Sequence, residues 1–69
     1  MTAAEKIKLG QLIGRQKLLY LRIKEADKKT FEEMTAAEQR CYDQDYGECV
    51  GIEEALGLFG IPFKSVDDR

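Results

Sequence analysis

Residues 9–26 read LGQLIGRQKLLYLRIKEA, and this stretch decides the fold. Leu9, Leu12, Gln16, Leu19, Ile23 and Ala26 recur at alternating spacings of three and four, the heptad seam of one helix face. At ~100° per residue, Ile13 and Tyr20 widen the seam into a broad apolar face. Ile7, Gly10, Gly14, Leu18 and Leu21 fall nearly opposite and form a second, narrower stripe. A helix with two apolar stripes needs two things to bury them against, and a hairpin partner supplies only one. The second stripe is therefore the expected oligomer interface.

Outward from this stretch, helix boundaries are written in cap chemistry. Thr2-Ala-Ala-Glu5 has the form of a capping box, so the first helix is expected from about Ala3 to Ala26 or Lys28. Thr30-Phe-Glu-Glu33 and Thr35-Ala-Ala-Glu38 repeat the device. They predict one helical turn over Phe31–Met34 and a restart at Thr35. Phe31 and Met34 are expected to plug the top of the hairpin. The pentapeptide MTAAE occurs at 1–5 and at 34–38, the same cap used twice, since nothing similar follows it.

The second helix is expected from Ala36 to about Phe59. Tyr42, Asp45, Cys49, Ile52, Leu56 and Phe59 continue the three-four spacing across Gly47 and Gly51. Gly60 is expected as the C-cap, and Pro62 forbids continuation. The tail Ile61–Val66 is apolar enough to fold back, and Asp67–Arg69 are expected to fray. The reading is an all-α chain: one helical-hairpin domain over residues 1–69, assembling into a homo-oligomeric bundle.

Length points the same way. Chains below about 70–80 residues rarely stabilise a single core without disulfides, metal or a partner subunit, and this one has 69. Cys41 and Cys49 are eight apart in one helix, ~12 Å along its axis, too far for a disulfide. Free thiols and no signal peptide predict a reducing, cytoplasmic setting. With no histidine and two cysteines, zinc is not expected, and no cofactor is. No run approaches the ~20 apolar residues of a membrane span.

Charge is split along the chain. Residues 1–29 carry eight cations against three acids, and residues 30–69 ten acids against three cations. The halves should attract each other as an antiparallel pair, within or between subunits. Lys8, Arg15, Arg22 and Lys29 form a basic ladder beside the seam. Arg15 is expected to face Glu48, whereas Arg22 and Lys29 have no obvious acid opposite.

Three constellations invite a functional reading. Asp43 to Glu54 resembles an EF-hand loop in its acids at loop positions one, three and twelve. It lacks the glycine at position six on which the turn depends. Plain helix is the reading for that segment. Gln16 and Asp45 occupy seam positions and are expected to share a polar layer that fixes register. Tyr20, Tyr42 and Tyr46 are expected near that layer, capping the core with their hydroxyls in water; with Arg15, Arg22 and Lys29 beside them they are also the candidate partner- or anion-binding surface. Catalysis has no footing: no histidine can activate Cys41, Cys49 or Ser65, and there is no glycine-rich phosphate loop.

The expected function is a small non-enzymatic interaction module. It would be an adaptor or inhibitor that covers a partner protein's surface, of the kind a phage or mobile element encodes. Its expected partners are itself and another protein. The alternative is an anionic ligand, nucleotide or nucleic acid held by the basic side of the first helix.

Overall fold

The computed structural model covers residues 1–69. Helix α1 spans Ala3–Ala26 and helix α2 spans Ala36–Leu58. They pack against each other as a hairpin with principal extents of 45 × 21 × 15 Å. A 3-10 turn at Phe31–Glu33 sits in the connection, and a second, at Val66–Asp68, lies in the tail.

Caps set these limits. Thr30 and Thr35 each make a complete capping box, with Glu33 and Glu38 reaching back to the cap amides. At Thr2 only half of the box forms. Its hydroxyl accepts from the Glu5 amide at 3.2 Å but donates to the Glu5 carboxylate at 3.1 Å. At the far end of α2, Gly60 takes φ +67°, Ile61 N–H donates to Leu56 C=O and Gly60 N–H to Gly57 C=O. This paired arrangement is a Schellman motif, and it needs the left-handed conformation that glycine supplies.

The seam of α1 is buried as its spacing predicts: Leu9, Gln16, Leu19 and Ile23 fully, Leu12 and Ala26 by half. On α2 the buried set is Cys49, Glu53 and Leu56, while Asp45 is only half-buried and Phe59 is exposed. The buried face has turned toward Glu53 because a third element covers that flank. The tail crosses back over the hairpin and places Val66, with no solvent exposure, among Leu19, Ile23 and Cys49. Burying such a side chain is worth about 1.5–3 kcal/mol.

The end of the tail does not fray. Ser65 caps the last 3-10 turn, and the Arg69 guanidinium pairs with Asp27 at the C-cap of α1. In the connection Met34 is buried but Phe31 is 54% exposed, so Met34 alone plugs the hairpin. No helix is long and apolar enough to cross a membrane.

Candidate interaction surface

The second stripe of α1 faces solvent along its whole length. Ile7, Leu18 and Leu21 are 64%, 47% and 62% exposed, and a Cβ added at Gly10 or Gly14 would meet nothing within 4 Å. The result is a smooth apolar strip with bulky ends. Exposed apolar surface gathered in one strip marks an interaction site more often than scattered side chains do. Lys6, Lys17 and Lys24 beside it make no ion pair.

The basic ladder, in contrast, is largely occupied. Arg15 forks onto Glu48 at 2.6 and 3.2 Å, the pairing its heptad position predicts. The bonds hold Glu48 below the usual carboxylate range and raise Arg15. Arg22 and Lys29 are not free, as the sequence reading has them: Arg22 meets Asp45 at 3.1 Å and Lys29 meets Glu38 at 3.1 Å. The helices run antiparallel, and this packing brings Asp45 and Glu38 of α2 opposite Arg22 and Lys29 of α1.

The polar layer expected between Gln16 and Asp45 does not form. Asp45 turns outward to Arg22, and the partner of Gln16 is Glu53. Glu53 is the one buried acid, 7% exposed, and no cation neutralises it. Four donors converge on its carboxylate: Val66 N–H at 2.8 Å, Ser65 Oγ at 2.7 Å, Gln16 Nε2 at 3.0 Å and Cys49 Sγ at 3.4 Å. Gln16 Nε2 also donates to the Lys64 carbonyl at 2.9 Å. Burial raises the Glu53 pKa, but bonds from Val66, Ser65 and Gln16 outweigh it and leave the carboxyl below its ordinary value. This is a structural clasp that ties tail to hairpin.

The tyrosines divide. Tyr42 and Tyr46 stack with centroids 6.5 Å apart, Tyr42 donates to Asp27 at 2.9 Å, and Tyr46 donates to Asp67. Arg69 lies 5.9 Å from the Tyr46 ring centroid and donates to the Tyr42 hydroxyl at 2.7 Å. Both rings thus serve to fasten the tail. Tyr20 packs on the same core from α1, its hydroxyl buried and unpartnered.

A groove of about 580 Å³ lies near the loop end, with Ile23, Met34, Cys41 and Tyr42 in its lining. A smaller one of about 290 Å³ lies between α1 and the tail, lined by Ile13, Tyr20, Leu21 and Phe63. Neither brings together groups for nucleophilic chemistry. The Cys49 thiol is buried and pushed up to about 12 by desolvation and the adjacent Glu53, so it is a poor nucleophile. Cys41 is exposed. Asp43–Glu54 lies wholly within α2 and is helical throughout. No three His, Cys, Asp or Glu side chains are grouped to hold a metal ion.

What can be recognised from elsewhere adds nothing to this geometry: no known protein family, no curated protein and no solved structure matches the chain.

Proposed function

We propose that the chain is a non-enzymatic protein-interaction module whose docking surface is the outer face of α1. The observation that carries this reading is the exposed strip Ile7, Gly10, Gly14, Leu18 and Leu21 on the side of α1 turned away from α2. An apolar strip flanked by unpaired lysines suits another protein's helix: close approach along the glycines, anchoring by Leu18 and Leu21, and charge at the rim. Such a module acts by covering a surface on its partner, as an adaptor or an inhibitor does.

Anion binding through the basic side of α1 has weaker support. Of the cations expected to hold the anion, Arg15, Arg22, Lys28 and Lys29 already carry acids that a phosphate would have to displace, and Lys24 alone makes no ion pair.

The test is photo-crosslinking in the native host. A photoreactive residue at position 18 or 21 is expected to yield discrete protein adducts, and one at the exposed Asp68 none. Equal adducts at all three positions, or none at any, would overturn the reading.

A further inference from the structure

Taking the outer face of α1 as a docking surface, we infer that its occupant is the outer face of α2 in a second copy, so that hairpins join edge to edge and head to tail. The outer face of α2 carries Gly47 and Gly51, with nothing within 4 Å of an added Cβ, and Leu58, 89% exposed. Within the hairpin Arg15 bonds Glu48, and Cys49 Sγ approaches the Gln16 carbonyl at 4.0 Å. That register sets Ile7 level with Leu58, Gly14 with Gly51 and Leu18 with Gly47, on opposite edges of the molecule. Sliding one hairpin sideways onto the next therefore seats Ile7 against Leu58 and Leu18 against the bare Gly47, with Leu21 level with Gln44.

Gly10, Gly14, Gly47 and Gly51 support this contact. Each costs about 1 kcal/mol against alanine in a helix interior, and the space beside each is empty within the chain. Small residues on two facing helices let the backbones approach closely.

Charge favours this contact over a symmetric one through α1. Lys6, Lys17 and Lys24 on the α1 edge have no ion partner, and the α2 edge carries Asp43 and Glu54 together with Arg40, also without ion partners. Joining α1 to α2 of the next copy brings the two sets together. A two-fold contact through α1 would instead set lysines against lysines. A heterologous contact leaves one free edge at each end, so it grows until a ring closes.

The experiment is sedimentation of the full chain over a concentration series, with two variants. Gly14→Lys blocks the α1 edge and Gly51→Lys the α2 edge. Both side chains enter open space and replace a poor helix former by a good one, and circular dichroism checks the fold. The parent is expected to climb past twice its 7.9 kDa mass, less so at high salt. Each variant alone is expected to return to 7.9 kDa. Their equimolar mixture, with one sound edge apiece, is expected to stop at the dimer.

A parent that stays at 7.9 kDa would overturn the inference. So would a dimer abolished by Gly14→Lys and indifferent to Gly51→Lys, which indicates a symmetric α1 contact. In both cases adducts from positions 18 and 21 keep α1 as a docking face for another protein. Their absence sinks that reading separately.

Discussion

Glu53 shows how a single residue comes to hold three segments together. Its carboxylate is stable as an anion without a cation because Val66, Ser65, Gln16 and Cys49 all point donors at it. Buried charge is tolerated when its lone pairs are satisfied. Glu53→Gln removes the charge and aims an amide N–H₂ at groups that are themselves donors. An unsatisfied buried polar group costs about 1–3 kcal/mol, which in a domain of this size lowers the melting temperature by roughly 10 °C. The pH dependence follows from the lowered carboxyl pKa. A group depressed in the folded state contributes stability above its ordinary value, and that stability is lost as pH falls through the folded value. Melting temperature should therefore drop as pH is lowered through and below 4.5, the ordinary value, and Glu53→Gln should flatten that drop. Thermal melts of both proteins from pH 7 to pH 3 check it. Nothing in the sequence marks Glu53, one of ten acids in the second half. It lies off the α2 heptad seam, and its donors come from residues 12 or more positions away as well as from its own helix.

At the scale of elements, legibility follows the locality of the forces. Cap boxes, the three-four periodicity and the Gly60 stop act over a few residues, so both helices begin at Ala3 and Ala36 as their caps predict. Asp43–Glu54 stays helical for the same reason. It lacks the turn glycine of a calcium loop and keeps the helical period. Gly60 makes the clearest local test. At φ +67° an L side chain meets its own backbone, so Gly60→Ala should destabilise by about 1–2 kcal/mol. It should also loosen the tail, because the Schellman bond from Ile61 to Leu56 sets the chain's direction as it leaves α2. Melting and amide exchange at Ile61 measure both effects. An unchanged melting temperature would show that the left-handed turn is not what redirects the chain.

For the whole molecule, the tail makes a core out of two helices. The central cluster is only Leu19, Ile23, Cys49 and Val66, and one of the four belongs to the tail. Val66→Ala leaves a void where the tail meets both helices. It should cost about 2 kcal/mol by loss of buried apolar area and the cavity left behind. Urea unfolding reports it as a lower midpoint. The same variant should release Arg69 from Asp27 and Tyr42, contacts that depend on the tail being seated. A variant as stable as the parent would mean that polar contacts at Glu53 and Asp27 hold the tail without Val66. The outer faces of α1 and α2 stay uncovered in the hairpin.

The sequence by itself determined the all-helical class, both helix starts, the buried seam of α1 and the Arg15–Glu48 pair. Each depends on spacing along one helix or on the coarse antiparallel pairing of two. Only the tertiary structure decided which acid meets which cation and which polar residues are buried. The packing of the antiparallel pair gave Asp45 to Arg22, and the returning tail covered the flank of α2 from which Glu53 faces inward. Such choices depend on a turn's placement and on a segment far off in the chain. Periodicity within one helix carries no record of either.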